Sequence, residues 1–305
     1  MLVHTMKITL TGANGFIGRR LAERARAEGH SVHLLLRKPQ PGLPPGTAYS
    51  LWDAMENEPP AAAIDGADAI IHLAGEPVAQ RWTEDVKKRI LRSRTVGTQR
   101  LVQAISTARA RPSVLVSASA IGYYGSRGDE LLHEASAAGG DFLADVAEQW
   151  EQAAQLATAL GVRVAQVRIG IVLGRQGGAL QQMLLPFRLG AGGRLGDGQQ
   201  WMSWIHLEDL VSLLLAAAAD PRYQGPINGV APNPVRNEEF TQTLARTLRR
   251  PAIVPVPAWA LRLLFGEMSK VILASQRVDP RATRTHGFTF AHPDLGPALR
   301  HLLKT

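Results

Sequence analysis

Residues 6–18 read MKITLTGANGFIG, and this stretch decides the fold. Ile8 and Leu10 alternate with threonines, as in a short buried strand. Gly12, Gly15 and Gly18 follow, and residues 19–28 continue as an amphipathic helix. Strand, glycine turn and helix in this order form a cradle for a dinucleotide pyrophosphate. Gly12 permits the tight turn, Gly15 lets the backbone approach the phosphates, and Gly18 lets helix and strand pack closely. Asn14, Phe16 and Ile17 fill the intervening positions. The helix N-terminus adds unpaired N–H groups and the positive end of a dipole. The flanking strand and helix carry this reading, because a glycine triplet alone is also an ordinary turn.

Outward from the cradle, residues 31–36, SVHLLL, form a second strand. Folds that bind NAD usually end this strand in Asp or Glu, against the ribose hydroxyls. Here it ends in Arg37 and Lys38. A carboxylate would repel a 2′-phosphate, whereas Arg37 can grip one with paired hydrogen bonds, which favours NADP. The alternative is a solvated charge pair at a strand end. Residues 49–52 read as a third strand ending at Asp53, and residues 68–73, DAIIHL, as a fourth. The fourth ends at Leu73 and leads into Ala74 and Gly75, where small residues let the backbone pass close to a cofactor. His72 reads as a packed residue, since no second His or carboxylate stands at metal spacing, and no metal is expected.

Residues 82–108 carry a long helical pattern whose apolar stripe suits a core or a homodimer face. Arg89, Arg92 and Arg94 lie on it, and spacing does not choose which would reach a cofactor phosphate. Residues 114–116 form a fifth strand that opens into Ser117, Ser119, Tyr123 and Tyr124. Residues 142–160 are helical, residues 162–167 form a sixth strand running into Arg168, Gly170 and Ile171, and residues 225–234 read as a strand and turn. Asn237 is expected to cap a helix running to about Arg249, and Pro257 to open another.

Composition narrows the class. The chain has 305 residues, 45% hydrophobic and 20% charged, as in a globular protein with a large core. It contains no cysteine, which removes disulfides, thiolate metal sites and cysteine nucleophiles. A cytoplasmic location and a leader over residues 1–5 are expected, with no membrane association, because the longest apolar run, residues 210–219, is too short to span a bilayer. The net charge of +8 is spread along the chain without a basic tail, so a small-molecule substrate is expected as partner and not nucleic acid.

The string TGANGFIG, with its Gly-x-x-Gly-x-x-Gly spacing, resembles the extended short-chain dehydrogenase/reductase superfamily. The likeness continues in HLAG at 72–75, in the serine-rich end of the fifth strand with its Tyr-Gly, and in the GDGxQ…IHxxD pattern at 196–209. From residue 251 the tail resembles a C-terminal domain of unknown function attached to an atypical epimerase-like branch. The resemblance implies a Rossmann-type α/β fold, a doubly wound parallel sheet with a smaller C-terminal substrate region. The NADP-binding domain would cover residues 6–175, and the substrate region 176–305, with later segments free to rejoin the sheet. It also implies Asp53 against the adenine amino group, Ser119 (or Ser117) on a substrate oxygen, and Arg168, Gly170 and Ile171 near the nicotinamide amide.

One departure stands out. Such proteins carry Tyr-x-x-x-Lys on the helix after the serines, but residues 142–160 contain neither residue type, and the pair aligns with Phe142 and Val146. Tyr123, Tyr124, His206 or a bound water are left as proton donors. The expected activity is that of an NADP-dependent oxidoreductase or epimerase on a small carbonyl or sugar-like substrate. The competing class is a non-catalytic NADP-binding sensor.

Overall fold

A computed structural model describes residues 5–304, so most of the expected leader lies outside the described residues. Seven strands form one parallel sheet: β1 (Lys7–Thr11), β2 (Ser31–Leu36), β3 (Tyr49–Leu51), β4 (Ala69–His72), β5 (Val114–Ala120), β6 (Arg163–Ile169) and β7 (Gly225–Gly229). Their order is β7-β6-β5-β4-β1-β2-β3, with every neighbouring pair parallel. The strand order reverses between β1 and β4, which opens a crevice at the carboxyl ends of the strands.

The central strands are apolar on both faces because helices cover both. On one face, α1 (Phe16–Ala27) and α5 (Leu207–Ala219) bury Leu21, Ala25, Leu210 and Leu214 against β1, β4 and β6. On the other, α2 (Glu84–Thr107) and α3 (Phe142–Gln155) close a core with Leu101, Ile105 and Ala154 against Ile70 and Leu115. A third core lies in the C-terminal region, where α4 (Gly178–Arg188), α6 (Asn237–Leu248) and α8 (Leu295–Leu303) pack around Trp204 and Phe240. That region also holds α7 (Ala258–Phe265), with Pro257 at its N-cap, and short helices at Ser269–Ile272 and Arg281–Thr285. Among the described residues no helix is long and apolar enough to cross a membrane.

Two local expectations shift. The helix over 142–160 is α-helical only to Gln155, and residues Leu156–Leu160 tighten into a 3-10 turn that Gly161 ends in the left-handed region. Asn237 is not a cap but the first residue of α6. Its side chain accepts from the Leu195 N–H at 2.8 Å, fastening the loop before β-residues Trp201–Met202.

Candidate cofactor and substrate site

The glycine turn has the dimensions of a phosphate cradle. Gly12 has φ +70°, and a Cβ there would stand 2.8 Å from the Leu73 carbonyl carbon. The turn after β1 therefore lies directly against the turn after β4. A Cβ on Gly18 would collide with the Gly12 carbonyl, which is why helix and turn pack so closely. At Gly15 an added Cβ meets only the Gly12 oxygen, at 3.2 Å, and otherwise open space. The first turn of α1 has no side-chain cap and no acidic residue, so its N–H groups remain available to an anion. Phe16 takes another part: its ring fills the space over Gly174 and Gly177, where no Cβ would fit. These observations fit a dinucleotide.

Gly15→Val should leave the fold intact and weaken NADPH binding at least about 100-fold, since the branched side chain fills the one open side of the turn and displaces charge-assisted hydrogen bonds. Circular dichroism and a fluorescence titration would decide; tight binding by the folded variant would remove the turn from the site.

A one-way hydrogen-bond chain fixes the neighbouring turn. The N–H groups of Leu73 and Ala74 both donate to Thr11 Oγ1, at 3.1 Å each. Thr11 Oγ1 lies 2.7 Å from His72 Nδ1, and His72 Nε2 lies 3.1 Å from Thr98 Oγ1, which donates to the Arg94 carbonyl. Only one tautomer satisfies every member: Nδ1 accepts and Nε2 carries the proton. Burial, with the nearby Arg94 charge, pushes the His72 pKa down to about 4, so the ring is neutral and structural. Asp53 is committed as well, with Oδ1 accepting from the Met55 N–H at 2.8 Å in the turn after β3. Arg37 and Lys38 are exposed beyond β2 and form no ion pair among the described residues.

The serine end of β5 leads into a buried network. The Ser119 hydroxyl donates to Glu151 Oε1 at 2.6 Å. Glu151 also accepts two hydrogen bonds from Arg168, Nε to Oε1 and Nη2 to Oε2, both 2.8 Å. Arg168 Nη1 donates to the Tyr124 hydroxyl and to the Glu134 carbonyl at 3.0 Å. Tyr124 in turn donates to Asn228 Oδ1 at 2.7 Å. Burial opposes the Arg168 charge, but the Glu151 hydrogen bonds and attraction outweigh it and raise the guanidinium pKa. Burial pushes the Tyr124 phenol up to about 12.

The structure gives several of these groups partners within the protein itself. Arg168 directs its donors to Glu151, the Tyr124 hydroxyl and the Glu134 carbonyl. Tyr124 is wholly buried, and Ser119 turns its hydroxyl into the protein. Ser117 is buried too, donating to the Ala118 carbonyl. Tyr123 is half-buried with its ring 3.5 Å from the Arg168 guanidinium, and its hydroxyl has no hydrogen-bond partner among the described residues. Gly170 and Ile171 are held by protein contacts: a Cβ on Gly170 would meet the Ser203 carbonyl, and the Ile171 N–H donates to that same oxygen.

A cavity of about 700 Å³ opens where β5 ends, between the sheet and the C-terminal region. Ala120 and Gly122 form its floor; Phe142, Val146 and Trp150 of α3 form one wall, and Lys270 and Gln276 another. Phe142 and Val146, aligned with the missing Tyr and Lys, thus line it with hydrocarbon. Of the three arginines left open by spacing, Arg94 lines the cavity. The helical spacing of Ile90, Arg94, Thr98 and Leu101 was the available signal, since it sets Arg94 on the buried face of α2.

His206 lies elsewhere. It caps α5, with Nδ1 accepting from the Glu208 N–H at 3.0 Å, and borders a second cleft with Asn14 and Phe16. Burial and the neighbouring His292 and His301 push its pKa down to about 3. Nitrogens of the three imidazoles lie within 4.8 Å of one another, a distance suited to a metal. The tautomer opposes ligation. Because Nδ1 receives the Glu208 N–H, the proton sits on Nε2, the nitrogen facing His301 at 3.1 Å. A ligand needs a lone pair there, so the cluster reads as a hydrogen-bonded histidine pair with His292 stacked on it.

Comparison with known proteins gives two family matches. Residues 8–228 match the NAD dependent epimerase/dehydratase family, and residues 256–302 match a domain of unknown function (DUF1731). An Arabidopsis thaliana protein named epimerase family protein SDR39U1 homolog, chloroplastic, is 44% identical over 98% of this chain and 87% of its own length. The human epimerase family protein SDR39U1, solved with NADPH, is 37% identical with a TM-score of 0.88, covering 98% of this chain and 100% of that one. A nucleoside-diphosphate sugar epimerase from Corynebacterium glutamicum is 36% identical with a TM-score of 0.80, over 98% of this chain and 58% of that one.

Proposed function

Because the chain belongs to the NAD dependent epimerase/dehydratase family, we propose that it is an NADP-dependent oxidoreductase or epimerase acting on a small carbonyl or sugar-like substrate. The observation that carries the reading is the cradle of Gly12, Gly15 and Gly18, pressed against the turn after β4 at the sheet's switch point. Arg37 and Lys38 support NADP in preference to NAD, as does the NADPH in the human relative. The cofactor, when bound, supplies or takes up the hydride. The chain's own part is to hold the substrate in the cavity beyond β5 and to exclude bulk water with Phe142, Leu143 and Val146. Proton transfer without the tyrosine–lysine pair falls to the uncommitted Tyr123 hydroxyl or to water.

The test is a fluorescence titration of the purified chain with NADPH and NADH, then a screen of carbonyl compounds and nucleotide sugars at the nicotinamide absorbance. Stoichiometric NADPH binding with turnover supports the enzyme; failure to bind either nucleotide overturns it. A second reading, an NADPH-binding sensor without catalysis, draws support from the committed hydroxyls of Ser119 and Tyr124. Binding without turnover across the screen would put it first.

A further inference from the structure

Arg94 is a half-buried cation with no carboxylate in contact with it among the described residues. Its Nη1 donates to the carbonyls of Glu76 and Ile90, at 3.0 and 3.1 Å, and it forms no ion pair among the described residues. The Glu76 carboxylate instead meets Arg89 and Gln80. The close approach of Gly75, whose Cβ would stand 3.1 Å from Arg94 Cζ, closes one side of the guanidinium. Desolvation lowers its pKa to about 10 against the weaker opposing pull of the Glu76 carboxylate, which leaves it charged at neutral pH. Beside it, 5.0 Å from the guanidinium carbon to the ring centre, lies Trp150, 5% exposed. The Trp150 indole N–H is buried and has no hydrogen-bond partner among the described residues. Buried donors nearly always have partners, so this one points to a missing acceptor.

Both residues line the 700 Å³ cavity, and so do Arg262 and Lys270. The two carboxylates on the lining are already engaged: Asp141 accepts from the Ala144 N–H at the start of α3, and Glu267 pairs with Lys87. Three cations against two carboxylates, one of them paired with Lys87, leave the lining net positive, and most of its other side chains are apolar. We infer that Arg94 and Trp150 form the subsite for an oxyanion on the substrate, a carboxylate or phosphate carried by an otherwise largely apolar body. The guanidinium edge left free by Glu76 and Ile90 supplies charged donors, and the indole supplies a neutral one. The inference rests on the substrate-cavity reading above, and it restricts the substrate class to acids.

Matched acid and amide probes test it on the full chain loaded with NADP⁺. Benzoate and phenyl phosphate, titrated by tryptophan fluorescence, are expected to bind about tenfold or more tightly than benzamide, the discrimination of a charge-assisted pair. Arg94→Gln should abolish that preference, Arg94→Lys should keep part of it, and Trp150→Phe should weaken the acids about threefold or more. NADPH affinity should stay within about twofold of the parent in each variant. Equal binding of benzoate and benzamide would overturn the inference. So would full acid preference in Arg94→Gln, or a loss of NADPH affinity in place of probe affinity, which would assign Arg94 to the cofactor. Trp150→Phe keeps the volume of the wall and provides the test if Arg94→Gln does not fold. Failure of the enzyme reading would show separately, as absent turnover with intact acid preference.

Discussion

Arg168→Met is expected to lower the free energy of unfolding by about 3–5 kcal/mol, the cost of leaving one member of a buried ion pair behind. Arg168 is 3% exposed, and the Glu151 side chain 11%, so water cannot replace the lost partner. The variant strands a carboxylate whose only other donor among those described is the Ser119 hydroxyl. It also strips a donor from Tyr124 and from the Glu134 carbonyl. Adding Glu151→Leu should recover about half of the loss, because a pair replaced by hydrocarbon is often nearly neutral while the Tyr124 and Glu134 groups stay short of a donor. Urea unfolding followed by circular dichroism reads both variants. A single variant that loses under about 1 kcal/mol would show that the pair contributes little.

The second large effect concerns nucleotide choice. Arg37→Asp should weaken NADPH about 30-fold or more while changing NADH about threefold or less, since a forked cation is lost and a repelling carboxylate gained at the 2′-phosphate. The preference should therefore invert or vanish. Parallel titrations with the two nucleotides measure it, and an unchanged ratio would mean that Arg37 faces only solvent. Raising salt should erode the parent's preference, because Arg37 is exposed and its charge is screened.

The parts of the fold written in short-range pattern were legible. Residues 6–18 specify strand, turn and helix locally, through alternation and glycines whose missing side chains the turn requires. The parallel strands read as apolar runs because both faces are covered. The polar network was not legible. Ser119 meets Glu151 across 32 positions of sequence, and Tyr124 meets Asn228 across 104. Glu151 sits between buried Trp150 and exposed Gln152, so its place on the helix carries no clear mark of burial, and Ser119 and Tyr124 read as free hydroxyls. Asn237 misled for a related reason. Its type suits a cap, but Leu195 N–H offered a better use of its carbonyl. At the cavity the reverse held: the absence of Tyr and Lys from α3 was plain in the sequence, and Phe142 and Val146 do face the space.

The seventh strand gives the chain an order of events during synthesis. β6 pairs with β5 on one side and with Gly225–Gly229 on the other. A ribosome that has delivered residues through Ile169 has therefore released a sheet whose β6 edge is still unpaired. Its guanidinium at Arg163 still waits for the carbonyls of Ala217, Ala218 and Tyr223. Everything between, including α4 and the strand leading to His206, must emerge before that edge is sealed. The nucleotide half is therefore not complete in itself: its last strand and the carbonyls that hold Arg163 come from residues beyond 216. Until Gly225–Gly229 is in place, β6 presents an unpaired edge that a wrong strand can occupy.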